Sequence, residues 1–249
     1  MRHVRFEHEG RVYEGLQEEV PDGARLLAPV VPGKVVAVGQ NYMDHIREQG
    51  AEPPGIPVLF PKFATCVIGP DEQIRWPASL TQRVDYEGEL AVVIGRRASR
   101  VPVEEALDHV RGYVPANDVS ARDLQMGDGQ WLRGKALDTF LPLGPAVVTP
   151  DEAGDPQALS IRTRVNGETL QDSSTAEMVF SVAELIAFIS EGITLEPGDV
   201  VLTGTPHGVG VFRDPQVFLR PGDVVEVEVG GLGVLRNTVG PHVDATTKE

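Results

Sequence analysis

Cysteine is nearly missing from this chain: Cys66 is the only one in 249 residues. That excludes an intrachain disulfide and any cysteine-based zinc cluster. Cys66 itself, between Thr65 and Val67, reads as a small core residue rather than a nucleophile. Aromatic residues are scarce at 6%, and no apolar run reaches the length of a membrane span. The opening MRHVRFEHEG has no secretory-type apolar stretch, so the expected location is cytoplasmic. Positive charge is short as well, with 22 Lys and Arg against 37 Asp and Glu, a net charge of −15. So acidic a surface repels nucleic acid and anionic membranes, and neither is expected as a partner. An acidic substrate would need a local reversal of that field, most simply a bound cation.

Glycine and proline are plentiful, at 27 and 20 residues, which favours short strands and tight turns over a helical bundle. Residues 1–32 alternate weakly (Val4, Phe6, Val12, Tyr13) and are expected to form a small N-terminal β-element. The main domain is expected over 33–243, with a frayed tail at 244–249. Val35–Gly39 reads as a buried strand. Leu159, Ile161, Thr163 and Val165 alternate with polar residues before an Asn166-Gly167 hairpin turn, and Val225, Val227 and Val229 alternate with Glu226 and Glu228. Three helices are predicted. Asn41–Gln49 is short, with Asn41 as N-cap; Val103, Ala106, Leu107 and Val110 follow Pro102 at helical spacing; Ser181 and Glu184 form a capping box ahead of Val182, Leu185, Ile186 and Ile189. Strands and helices do not alternate regularly, so the fold class expected is α+β, mostly β, a mixed β-sandwich or roll with a few short helices.

The most informative stretch is DYEGELAVVI, Asp85–Ile94. A strand starting near Asp85 puts Asp85, Glu87 and Glu89 on one face, neighbours roughly 6.5–7 Å apart. They either decorate an exposed strand end or, if the strand is buried, hold a cation. Asp118, in NDVSARD after the apparent strand Gly112–Ala116, is a candidate third ligand. An all-carboxylate set suits Mg²⁺ or Mn²⁺, with Ca²⁺ as a possible substitute, and is a poor zinc site.

His45 and Glu48 stand i, i+3 on the first helix, where a carboxylate can orient an imidazole as a general base; a surface contact is the other reading. Lys135, among Gly134, Ala136 and Phe140, reads either as an ammonium for a substrate carboxylate or enolate, or as a solvated lysine. Arg122 has the same two readings, with a bidentate clamp in its favour. Thr203–Gly210 is a glycine-rich turn after Val200–Leu202 that can expose backbone N–H groups to an anion. It lacks the Gly-Lys-Ser/Thr ending of a nucleotide loop, which excludes ATP or GTP there.

Six segments together resemble the fumarylacetoacetate hydrolase family, in particular its smaller bacterial 2-hydroxyhepta-2,4-diene-1,7-dioate isomerases. They are VGQNYMDHIREQG (38–50), DYEGELAVVIG (85–95), NDVSARDLQ (117–125), GKALDTFLPLGP (134–145), VNGETLQD (165–172) and LTGTPHGVG (202–210), in the family's order from about Lys34 to Val239. The resemblance implies that Glu87, Glu89 and Asp118, rather than Asp85, hold a divalent metal. It implies that His45 and Glu48 are the acid–base pair, on a segment that closes over ligand, with Lys135 catalytic and Arg122, Gln125 and Thr205 contacting substrate. It further implies the family's mixed β-roll, a homodimer, and a small dicarboxylic 2-oxo or enol acid as substrate. The reaction implied is enol/oxo isomerisation in aromatic-compound catabolism. Acylpyruvate-type C–C hydrolysis, oxaloacetate decarboxylation and a catalytically silent ligand-binding member are the alternatives. Two departures stand out: Ala136 replaces a common Ser after the lysine, and Lys62–Cys66 lacks the usual Pro-Ser pattern.

Overall fold

Apolar alternation in this chain builds two sheets, with the site where they meet. The computed structural model describes residues 1–243; the expected tail at 244–249 lies outside the described residues. Strands take 36% of the chain and helices 21%, with no closed barrel, so the mostly β, α+β expectation holds. The larger sheet runs, in spatial order, Arg11–Leu16, Arg2–His8, Val147–Val148, Val110–Asn117, Gly88–Ile94, Val200–Leu202, Val35–Gly39 and Val58–Lys62, with Arg25–Leu27 also paired to Arg2–His8. The N-terminal hairpin thus joins the larger sheet through Arg2↔Val148. The second sheet orders Glu168–Ser174, Ser160–Val165, Val224–Val229, Gly233–Val239 and Gln73–Ile74. Its hairpin turns at Asn166 and Gly167, both at positive φ, as the Asn-Gly signal predicts.

Gly88–Ile94 is central to the larger sheet and buried along its whole length. Leu90, Val92 and Ile94 face a core shared with helix Val182–Gly192 and with Ile161 and Val229 of the second sheet. Ala91 and Val93 face the opposite core, with Val35, Ala37, Val114 and Leu202. Burial on both faces explains why this stretch is continuously apolar rather than alternating. The capping box predicted at Ser181 is formed, with Ser181 Oγ accepting from Glu184 N and Glu184 Oε2 accepting from Ser181 N. Cys66 is buried in the core, as expected.

Three expectations need correction. The strand does not run on from Asp85: Val84–Asp85 pairs with Ser120–Ala121 in a separate two-stranded ladder, and Tyr86 and Glu87 lie between the strands. The first helix is Met43–Glu48 rather than Asn41–Gln49, and Tyr42 is its N-cap. Asn41 cannot cap it because its amide is engaged across the fold, donating to the Thr203 and Phe180 carbonyls and accepting from Phe180 N. Val103–His109 forms 3₁₀ turns, with only Ala106 buried among the predicted stripe and Val110 already opening the next strand. Among the described residues no helix is long and apolar enough to cross a membrane.

Gly88 marks the close approach of the two sheets. A Cβ there would lie 2.1 Å from Thr163 Oγ1 and 3.3 Å from Gln171 Oε1. Gly88→Ala is therefore expected to cost about 1–3 kcal/mol through overpacking, read as a lowered midpoint in urea unfolding. An unchanged midpoint would show that the sheets can part there freely.

Candidate metal and acid–base site

Four chain segments reach the same end of the larger sheet. Val110–Asn117 runs antiparallel to Gly88–Ile94, placing Ala116 opposite Glu89 and Asn117 opposite Gly88. The pairing continues past the strand ends, where Asp118 N donates to the Glu87 carbonyl at 2.8 Å. That bond brings Asp118 beside Glu87 and Glu89, and the three carboxylates lie within 4.8 Å of one another, all buried. Val35–Gly39 and Val200–Leu202 are parallel and both end here, delivering the His45 helix and the Thr203–Gly210 loop.

Three cations neutralise part of this buried charge. Lys135 Nζ stands 2.6 Å from Glu87 Oε2 and 2.7 Å from Asp118 Oδ2, and Arg122 Nη1 is 2.6 Å from Glu87 Oε1. Lys62, with no exposed side chain, reaches Asp118 Oδ1 at 2.5 Å and donates to the carbonyls of Val119 and Lys135. Burial disfavours ionisation of Glu87, but Lys135 and Arg122 outweigh it and hold the carboxyl down at about 2. Burial likewise works against the Lys135 ammonium, and Asp118 and Glu87 more than restore it. Glu89 differs. Among the described residues no Lys or Arg pairs with it, and its Oε2 accepts from Gly204 N at 2.8 Å. Burial, then the neighbouring Asp118 and Glu87 charges, push its carboxyl well above the usual range. Three hard oxygen donors, one without a cation of its own, fit a divalent ion such as Mg²⁺, Mn²⁺ or Ca²⁺ and suit zinc poorly.

Opposite the triad, His45 Nδ1 is 3.0 Å from Glu48 Oε2, and Glu48 Oε1 accepts from Gly208 N at 3.0 Å. His45, Glu87, Glu89, Arg122, Gln125, Lys135 and Thr205 line one cavity, so the structure brings together eight of the nine predicted side chains there or, for Asp118, in the triad. The ninth, Glu48, sits behind His45. Gln125 Oε1 accepts from Arg122 Nη1 at 3.0 Å. Thr205 Oγ1 donates to the Gly88 carbonyl at 2.9 Å and accepts from Gln171 Nε2 at 2.8 Å. Arg122 Nη2 is buried without a partner, a donor left over for a ligand.

The glycine-rich loop does present N–H groups to anions, but these anions are the protein's own carboxylates. Gly204 N serves Glu89, Gly208 N serves Glu48, and Gly210 N and Val211 N serve Asp85. Sequence reading missed Lys62, Gln171 and Trp131. Lys62 had a signal, since in Val58–Lys62 it shares the inward face of buried Phe60, an unusual place for an unpaired lysine. Trp131 meets Phe60 edge-on at 5.4 Å and packs so closely on Gly39 that a Cβ there would come within 2.4 Å of its ring.

Two measurements test this electrostatic account. Burial and the Asp118 and Glu87 charges raise the Glu89 carboxyl, and a bound cation favours its ionised form, so Mn²⁺ binding is expected to release protons and to weaken as pH falls. Calorimetry in buffers of different ionisation enthalpy reads this; identical heats would show Glu89 already ionised. Lys62→Met leaves Asp118 Oδ1 buried without its cation and should cost about 3–5 kcal/mol of metal-free stability, partly recovered on adding Mn²⁺. An unfolding midpoint equal to that of the unmodified protein would remove Lys62 from this role.

Residues 34–240 match the model of the fumarylacetoacetate (FAA) hydrolase C-terminal family. The mitochondrial oxaloacetate tautomerase fahd2 of Xenopus laevis is 53% identical over 217 residues, covering 86% of this chain and 68% of that protein. Human mitochondrial oxaloacetate tautomerase FAHD2A is 52% identical over 216 residues, with the same coverage of 86% and 68%. Among solved structures, the fumarylacetoacetate hydrolase of Exiguobacterium antarcticum superposes with a TM-score of 0.89 at 41% identity, covering 96% of this chain and 99% of its own. The 2-hydroxyhepta-2,4-diene-1,7-dioate isomerase of Mycobacterium marinum gives 0.83 at 37% identity, covering 99% and 100%. With the match spanning nearly all of the site-bearing chain, this protein belongs to the fumarylacetoacetate hydrolase family.

Proposed function

We propose that the chain is a divalent-metal-dependent tautomerase that interconverts the keto and enol forms of a small 2-oxo dicarboxylic acid of the oxaloacetate type. The observation that carries this reading is the pairing, across one cavity, of the buried carboxylate triad with the His45–Glu48 dyad. A Mg²⁺ or Mn²⁺ ion held by Glu87, Glu89 and Asp118 would supply positive charge against the substrate's C1 carboxylate and C2 oxygen.

The chain's own residues account for the rest. Nδ1 of His45 donates to Glu48, which leaves Nε2 as the nitrogen free to take a proton from C3 of the substrate. Glu48, fixed in turn by Gly208 N, keeps the imidazole in that tautomer and orientation. Lys135 remains charged beside the triad, placed to meet negative charge developing on the C2 oxygen. Arg122, with Nη2 unpartnered, offers a donor to a carboxylate, and Gln125 and Thr205 line the same wall. Balance is simple: the C3–H bond breaks and its proton goes to His45 Nε2, an O–H bond forms as a proton arrives at the C2 oxygen, and no carbon–carbon bond breaks.

The likeness to curated tautomerases favours this reaction over isomerisation of a seven-carbon dienedioate. The latter is the second reading, supported by the solved isomerase at 37% identity, and it needs the same proton movement over a longer conjugated chain. Hydrolysis and decarboxylation use the same groups but release pyruvate or CO₂.

The test follows the ultraviolet absorbance of enol-oxaloacetate and of a 2-hydroxydienedioate while pyruvate and CO₂ are monitored. The expected result is metal-dependent loss of enol absorbance, with neither pyruvate nor CO₂ formed. A chelator should abolish turnover and Mg²⁺ or Mn²⁺ restore it, while His45→Gln lowers kcat by about 10²–10⁴-fold. Pyruvate or CO₂ released in step with the absorbance change would replace the tautomerase reading with cleavage. Turnover in fully metal-stripped protein would overturn the metal-dependent mechanism.

A further inference from the structure

Asp85 is the acidic residue of the carboxylate stretch that lies outside the triad. It is fully buried, and its two oxygens accept four hydrogen bonds. Oδ1 accepts from Tyr86 N at 2.9 Å and Gly210 N at 2.8 Å. Oδ2 accepts from Arg122 Nε at 2.8 Å and Val211 N at 3.0 Å. All four partners are donors, so both oxygens act only as acceptors.

These bonds lead to two separate parts of the cavity lining, Arg122 and the segment before Phe212. Through Arg122, Asp85 is connected to Glu87 of the triad. Through Gly210 and Val211 it seats the short 3₁₀ turn Gly210–Phe212, whose Phe212 ring stands edge-on to His45 at 5.9 Å. Two residues before that turn, Gly208 N holds Glu48. The seating is tight, because a Cβ on Gly210 would fall 1.8 Å from the Val217 carbonyl oxygen and 2.7 Å from Asp85 Oδ1. The loop has other anchors, since the Gly208 carbonyl accepts from Tyr86 Oη at 2.9 Å and Arg213 Nε at 3.3 Å.

We propose that Asp85 is a positioning residue that joins the two halves of the site, seating the Gly208–Phe212 loop so that it aims Glu48 and His45 while fixing Arg122 beside the triad. The proposal rests on the reading of His45 and Glu48 as the acid–base pair. In Asp85→Asn one oxygen is replaced by an NH₂ that faces two donors, so half of the ties are lost with little change in volume. The anchors from Tyr86 and Arg213 keep the loop in place, and what suffers is the aim of the dyad.

A double-mutant cycle between Asp85→Asn and Glu48→Gln tests this, with kcat, KM and Mn²⁺ affinity measured for all four proteins. Asp85→Asn is expected to lower kcat about 100-fold alone and less than about 3-fold when Glu48 is already Gln, because the two act through one arrangement. Mn²⁺ affinity, read by calorimetry, should stay within about threefold throughout, as Asp85 is not a ligand. Equal kcat losses in both backgrounds would overturn the proposal, as would loss of Mn²⁺ binding in Asp85→Asn. If Glu48→Gln alone leaves kcat unchanged, the acid–base reading itself fails, and that outcome is distinct from the others. Should Asp85→Asn not fold, Gly210→Ala takes its place in the cycle with the same criteria, since it displaces the loop without altering charge.

Discussion

Burying a carboxylate away from water costs several kcal/mol unless its charge is met inside the protein. This chain buries four of them, Asp85, Glu87, Glu89 and Asp118, at one end of a β-sheet. Much of the local structure answers that cost. Glu87 and Asp118 are met by Lys135, Arg122 and Lys62, and Asp85 by Arg122 with three backbone N–H groups. Glu89 receives one N–H and no cation among the described residues. Glu89 is thus the carboxylate left without a cation, and that is what makes the cluster a candidate for an ion.

Topology supplies the donors at the right place. Two parallel strands, Val35–Gly39 and Val200–Leu202, end where the antiparallel pair Gly88–Ile94 and Val110–Asn117 begins and ends. Loops leaving those ends must cross the same surface, and a loop rich in glycine can turn its N–H groups inward. Gly204 and Gly208 take positive φ here, and at Gly210 only a missing side chain permits contact with Asp85. The second sheet contributes Gln171, which bridges the Gly88 N–H to Thr205 and the Pro206 carbonyl, so the floor of the site is tied to both sheets. Rigidity of this kind suits proton transfer, in which small misplacements of a base are costly.

Much of this was legible in the residues, and the failures share a cause. Periodicity located the second-sheet hairpin, the buried Val35–Gly39 strand and the capped helix at Ser181, because each is a local pattern with a local reason. The all-carboxylate character of the metal candidates was visible for the same reason. What single-chain periodicity could not show was which partner each polar group would find. Asp85 reads as a third member of an alternating face, yet the strand breaks at Tyr86 and turns Asp85 toward Arg122 and a loop more than a hundred residues away. Asn41 reads as a helix cap, yet its amide is spent on Thr203 and Phe180. Nothing local singles out Lys62, since lysines are ordinarily solvated, and only the inward face of its strand hints otherwise.

Charge also bears on how so acidic a protein could admit the proposed acid substrate. The overall charge is −15, but charges exposed at the surface are screened by water and salt. Around the triad Asp85, Glu87 and Asp118 face Lys62, Arg122 and Lys135, three charges against three, while Glu89 has no cation of its own among the described residues. A dication that took up Glu89 in its ionised form would leave one net positive charge. A 2-oxo acid presents one carboxylate beside its carbonyl oxygen, and this end would bring the enclosed charge back to zero. Its second carboxylate then needs a different donor, and Arg122 Nη2, buried and unpartnered, is available on the same wall. Under the proposed function, a preference for a small diacid would follow from this local count rather than from the distant surface charge.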